Sequence, residues 1–374
     1  MNVPFFSYDL APKNLKHEWL EVIESEISIG KFIKGQSVHN FENSWASALG
    51  AKKAVGVGNG LDGLTLALRA LGLGHGARVA LPAHTFIATW LAVHNVGAIP
   101  IGIDVDESGQ LDLDELFLMS PIPDAVIPVH MHGNILNMHR LITWATEHSV
   151  KVIEDASQAH LLVKDGKHAG TWGDCGVFSL YPTKNLGSLG DAGIIVSNDL
   201  DLIERISVLA NYGSDPDDKY SHSQLGYNSR MDTIQAAVLN VNLKYLLEWN
   251  SQRAVIGMMY RNFMNQLGIT HLHSEFNSVF HHFVILSNNR GSLQNFLRLQ
   301  GVDTEVHYPN LAAHEYASLT FGKKYDYTGA EKIANCGLSL PISQWHSVAQ
   351  IEFVLEIIGI AHKKDLITFD WLND

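Results

Sequence analysis

Cysteine is scarce. Cys175 and Cys336 are the two in a chain of 374 residues. That is too few for a disulfide framework, so the expected setting is the cytoplasm, where thiols stay reduced. Long apolar runs are missing too. No stretch reaches the ~18 uninterrupted apolar residues of a membrane span. The most apolar region, 78–105, is interrupted by Pro82, His84, His94, Asn95 and Pro100. The opening residues lack the charged segment and apolar core of a secretory signal. Positive charge is in deficit: 26 Lys and Arg face 39 Asp and Glu, a formal net charge of −13. Neither nucleic acid nor an anionic membrane is the expected partner of such a chain.

What is there is ample apolar material, 46% of the residues, which excludes a disordered chain. At roughly 150 residues per domain the length suggests two units. Between residues 54 and 210, short β-branched runs alternate with helical patterns. Ala54–Val57, Val79–Leu81, Ile99–Val105, Ala125–Val129, Val150–Glu154, Gly176–Leu180 and Gly193–Ser197 read as strands. Leu61, Leu64, Leu68 and Leu71 recur at helical spacing between two of them. This alternation predicts an α/β fold, a mostly parallel sheet with helices on both faces. The segment before Val38 reads as helical. One long helical pattern covers 230–267. Strands near 279–286 and 301–307, with helices near 292–299 and 348–361, form a smaller α+β unit. The boundaries are set at 1–245 and 246–374.

Three segments carry chemistry. The run Gly56-Val57-Gly58-Asn59-Gly60 ends a strand and opens a helix. Helix-start N–H groups favour an anion such as phosphate; a ligand-free turn is the other reading. A dinucleotide fingerprint needs glycine where Leu61 stands. Asp155 ends a strand of the buried type, where ligands of parallel sheets bind, although Asp also caps helices. Lys184 lies in the loop after a strand. It is either an exposed lysine or one that forms a Schiff base with an aldehyde. A phosphate cradle, an Asp for a pyridine nitrogen and a lysine are together what a pyridoxal phosphate site needs. His130 and His132 fall on one face of the expected strand, but no Cys or carboxylate cluster completes a metal site.

Several motifs then occur in a recognisable order. They are Gly58–Asp62, Pro82–Thr89, Glu154–His160, Phe178–Gly193, Gly226–Arg230, His307–Pro309 and Leu338–Pro341. Over nearly its whole length the chain resembles the DegT/DnrJ/EryC1/StrS sugar-nucleotide aminotransferases of fold type I. The resemblance implies a seven-stranded, mostly parallel sheet and pyridoxal phosphate as cofactor. Lys184 would bind it covalently and move protons; Asp155 would meet the pyridine nitrogen and Gln158 the phenolic oxygen. Phe86 would stack on the ring, with Gly60, Leu61, Asp62 and Ser179 around the phosphate. Asn228 would reach that phosphate from a neighbouring subunit, implying a homodimer.

The resemblance also implies L-glutamate as amino donor and a nucleotide-linked keto-6-deoxyhexose as acceptor. The motif wording looks most like enzymes aminating C3 of dTDP-linked sugars, with C4 as the alternative. Tyr181, His307 and Tyr308 are the candidate sugar contacts; His307 and Tyr308 could instead only close a turn. The family often has Thr where Leu61 stands, Tyr at His132 and Gly at Leu161. These departures bear on affinity and substrate rather than reaction type. A related dehydrating branch carries His in place of Lys184. Outside this family, the glycine loop leaves a nicotinamide-dependent oxidoreductase, or a catalytically silent relative, as competing readings.

Overall fold

A computed structural model describes all residues except 216–217, 274–277, 321, 370 and 372–374. Seven strands form the central sheet: β1 (Lys53–Val57), β2 (Arg78–Pro82), β3 (Ile99–Ile103), β4 (Ala125–Val126), β5 (Lys151–Asp155), β8 (Cys175–Ser179) and β9 (Gly193–Ser197). The labels β6 (Val163–Lys164) and β7 (Lys167–His168) belong to a small hairpin between β5 and β8. The strand order is β1-β9-β8-β5-β4-β2-β3. Every pairing from β3 to β8 is parallel, while β9 runs antiparallel to both β8 and β1. Six strands therefore point one way, and their carboxyl ends share one edge.

Helices cover both faces, as the alternation predicts. After α1 (Lys13–Ile29) and α2 (Gln36–Leu49), α3 (Gly60–Ala70) follows β1 and α4 (Ile87–Asn95) follows β2. Asn59 caps α3 with its side chain. Leu64, Leu66 and Leu68 of α3 are all buried against the sheet and the neighbouring helices. Each such side chain contributes about 1.5–3 kcal/mol of transfer free energy. β10 (Ser214–Asp215) and β11 (Asp218–His222) make a second hairpin, and β12 (Phe283–Leu286) pairs with β13 (Gly337–Leu340) in the C-terminal third. No helix among the described residues is long and apolar enough to cross a membrane.

Five expectations are corrected. The strand at 125–129 stops at Val126, and Val129 returns only as a single bridge to Asp155. Pro128 lacks the N–H that would continue the ladder. Residues 131–133 then turn in a 3-10 helix with His132 at positive φ, so His130 and His132 do not share a strand face. The helical pattern over 230–267 is two helices, Thr233–Leu243 and Leu246–Leu267, parted at Lys244 and Tyr245. The strand expected at 301–307 is two isolated bridges, because Val302 pairs with Val3 whereas Glu305 pairs with Ser339. The strand expected from Val279 begins at Phe283, after Phe280 adopts positive φ.

Candidate active site

The shared carboxyl edge gathers the chemistry. Asp155, the last residue of β5, is buried, and its two oxygens are separately engaged. Thr89 of α4 donates its hydroxyl to Oδ2 at 3.0 Å, and Ser157 donates its N–H to Oδ1 at 3.2 Å. Thr85 joins Thr89 at 3.2 Å between hydroxyls. Two donors on different oxygens fix the direction in which the carboxylate points.

Lys184 lies in the loop that leaves β8. Its N–H donates to Tyr181 O at 2.9 Å, a tight turn. Burial lowers the amine to about 8, against a partial upward pull from Asp155. A buried amine is more readily neutral, hence nucleophilic. The next residue, Asn185, is fully buried and locks the turn. It donates to Val279 O (2.9 Å) and Asn250 Oδ1 (3.0 Å), and its own Oδ1 lies 3.1 Å from His281 Nδ1.

A phosphate-sized anion has open donors nearby. The first N–H groups of a helix have no intrahelical partner. Asn59 Oδ1 takes that of Asp62 at 2.8 Å, which leaves those of Gly60 and Leu61. A Cβ on Gly60 would sit 3.0 Å from Ser179 Cβ, so glycine keeps this cradle open. Ser179 Oγ accepts only a long contact from Tyr181 N–H, 3.4 Å, and its proton is available to an acceptor.

The remaining wall comes from far along the chain. Gln158 Oε1 accepts from His132 N–H at 2.6 Å, which fixes its amide so that Nε2 faces Tyr308, donating to the hydroxyl at 3.4 Å. The Phe86 ring is 54% exposed and lies 5.4 Å from Tyr308, leaving a face open for stacking. Tyr308 N–H donates to His84 Nε2 at 3.0 Å. His307 stacks on His282 with ring centroids 3.8 Å apart and meets Ser339 Oγ at 2.9 Å. Burial lowers His84 and His307 to about 4 and His160 to about 3, with Lys184 adding to the effect at the latter two. Neutral imidazoles thus line the cleft around the lysine.

Lys184, Asp155, Gln158, Ser179, Gly60, Phe86, His307 and Tyr308 converge. Tyr181 is half exposed at the rim. Asn228 is exposed, and Arg230 bonds its side-chain oxygen. The neighbouring Ser229 accepts from Gly58 N–H at 3.0 Å. Four contributors carry no signal of their own in the sequence: Thr89, His84, His160 and Asn185. A structural reading suits His281 and His282 from their pattern alone, but both feel the charge of Lys184. Glu154 has a scaffold role: it accepts from His130 Nε2 (2.9 Å) and from the N–H groups of Gly170, Trp172 and Gly173.

The sequence profile of the DegT/DnrJ/EryC1/StrS aminotransferase family matches residues 13–359. The chain belongs to that family. It is accordingly an enzyme of the aminotransferase type with the family's α/β fold. A relative in Streptomyces venezuelae, dTDP-3-amino-3,4,6-trideoxy-alpha-D-glucose transaminase, is 37% identical over 313 residues, 82% of each chain. The solved structure of S. venezuelae DesV in complex with a ketimine intermediate superposes with TM-score 0.92 at 34% identity. It covers 99% of this chain and all of its own. NtdA from Bacillus subtilis, solved with bound cofactor PMP, gives TM-score 0.90 at 28% identity over 97% of this chain and 85% of its own. Within the family frame, the cradle, the aimed carboxylate and the depressed lysine fit a pyridoxal phosphate. The Gly60 cradle that a Cβ would crowd is the feature that tests that fit.

Proposed function

We propose that this enzyme uses pyridoxal phosphate to move an amino group from L-glutamate to C3 of a dTDP-linked keto-6-deoxyhexose, giving an amino-dideoxy sugar nucleotide and 2-oxoglutarate. The observation that carries the reading is the Lys184 amine, lowered by burial and opposed by Asp155, at the sheet edge beside the open N–H groups of Gly60 and Leu61. The S. venezuelae relative's name supports a 3-amino, dTDP-linked product. NtdA's bound PMP supports the cofactor.

When bound, pyridoxal phosphate supplies an aldehyde that condenses with amines and a ring that accepts an electron pair. Lys184 Nζ would hold it covalently, then take a proton from the donor's α-carbon and return it to the acceptor's side. Asp155, held in place by Thr89 and Ser157, would keep a proton on the pyridine nitrogen. Gln158 Nε2 would donate to the phenolic oxygen, and Phe86 would stack on the ring. Gly60, Leu61 and Ser179 would donate to the phosphate; Asp62 would join once its N–H leaves Asn59. The exposed Asn228 would reach the phosphate of a partner subunit, making a homodimer the working unit. Tyr181, His307 and Tyr308 would bind the sugar.

Residues 1–245 would form the cofactor unit and 246–374 the smaller one, a division supported by the helix break at Lys244 and Tyr245. Core residues such as Val284, Leu286 and Ile333 nevertheless pack with those of the sheet. A cysteine content of two in 374 residues is consistent with a cytoplasmic enzyme.

The test is a visible spectrum of the purified protein with pyridoxal phosphate, before and after glutamate. A yellow band should form, bleach with glutamate and be absent in Lys184→Ala. A protein that takes up no cofactor would sink the reading. NMR of the product identifies the aminated carbon.

A further inference from the structure

The N-terminal arm is far in sequence from Lys184, yet it reaches the lysine's loop. Val3 N–H donates to Gly301 O (2.8 Å) and Asp303 N–H to Val3 O (3.0 Å), which moors the arm on the C-terminal third. His346 Nε2 meets Pro4 O at 2.9 Å. Five residues after Val3, the Tyr8 ring lies between Trp19 and Trp345, with centroids 6.0 and 5.5 Å away. Its hydroxyl donates to Pro182 O at 2.9 Å, with a longer contact to Ser188 O at 3.4 Å. Those two carbonyls flank Lys184.

The loop is also closed by its own ends. Ser188 N–H and Oγ both donate to Leu180 O at 2.8 Å. Outside help comes from Asn242, which donates to Gly187 O at 2.8 Å and accepts from Trp19 Nε1 at 2.7 Å. Trp19 therefore braces two of the loop's external holders, Tyr8 and Asn242, while Asn185 and Leu189, whose N–H donates to Gln235 Oε1 at 2.9 Å, are held separately. Burial raises the Tyr8 phenol to about 12, so it remains a donor at any working pH.

We propose that Tyr8 is a positioning residue for Lys184. By bridging Pro182 O and Ser188 O it fixes the backbone from which the lysine projects. The amine then needs only side-chain rotation to reach the reacting atoms. This rests on the role proposed for Lys184, and it deepens that reading with a residue from outside the sheet.

The experiment compares Tyr8→Phe with Tyr245→Phe in the full chain. The second removes a hydroxyl that donates to Glu18 at 2.6 Å and does not touch the loop. Hydrogen exchange is followed by mass spectrometry without substrate, and kcat and KM are measured with glutamate. Tyr8→Phe is expected to speed exchange in 180–189 about ten-fold and lower kcat about ten-fold, leaving KM within about two-fold. Tyr245→Phe should leave both unchanged. If the two variants behave alike, or if Tyr8→Phe speeds exchange throughout the chain, the assignment is overturned. The parent protein tests the lysine's role separately, through its Lys184-dependent colour. The exchange data decide on Tyr8 whatever that outcome.

Discussion

Thr89 Oγ1 donates to Asp155 Oδ2 at 3.0 Å, across a gap of 66 residues in sequence. The bond joins the helix after β2 to the end of β5, two strands separated in the sheet by β4. Thr89→Val keeps the shape and removes the donor. The carboxylate then loses one of its two fixed partners, and its orientation toward the pyridine nitrogen loosens. Cofactor affinity should fall about five- to ten-fold, read by equilibrium dialysis with pyridoxal phosphate. Asp155→Asn should lower kcat/KM by a hundred-fold or more, on the order seen when a fixed electrostatic partner is removed.

The Lys184 amine predicts a pH profile. Only the neutral amine attacks an aldehyde. With the amine lowered to about 8, its neutral fraction falls about ten-fold per pH unit below that value and levels off above it. The rate of colour formation with added cofactor should follow that curve. A profile still climbing toward 10 would mean an ordinary exposed lysine. His84 and His307, near 4, stay neutral across this range and add no second inflection.

Asn228 gives a test of the shared site. If the chain works as the proposed homodimer, mixing Lys184→Ala with Asn228→Asp subunits yields heterodimers. If Asn228 serves the partner's site, one of their two sites has both native residues. Two inactive parents should then yield about a quarter of native activity after refolding together. Zero recovery would place Asn228 in the site of its own chain.

Gly193 is the least conspicuous requirement. A Cβ there would lie 2.6 Å from the backbone carbon and oxygen of Asn59 and 3.0 Å from Gly60 N. Gly193→Ala must push the start of α3 out of line. The expected cost is roughly 1–3 kcal/mol of stability, as for overpacking, together with weaker phosphate binding. Denaturant titration and cofactor dialysis check the two effects.

The parts of the site legible in the sequence were those where chemistry and secondary structure are local. Asp155 closes an apolar strand, Lys184 follows one, and Gly58–Gly60 opens a helix. Each of those signals spans a few residues. Thr89, Asn185 and Tyr8 act through partners 66, 94 and 174 positions away, and no periodicity carries that information. The break at Lys244 was equally silent, since neither Pro nor Gly marks it. Lys244 and Tyr245 even keep right-handed helical dihedrals, and the contacts of the preceding Asn242 with Gly187 and Trp19 are long-range in sequence. The sheet itself was readable because buried parallel strands leave short apolar runs, but its order and its one reversed strand were not.

That reversed strand has a mechanical consequence. Because β9 runs back beside β8, the chain leaves the lysine loop straight into the adjacent strand, with no crossover helix. The loop is therefore anchored at both ends to one ladder, like a handle fixed to a plate. Between those anchors the segment is stitched to Tyr8, Asn242, Asn250 and Gln235, so its length is fixed from several sides. An inserted residue between Ser179 and Gly193 would leave the ladder in register but break those stitches, and the reach of Nζ would change with them.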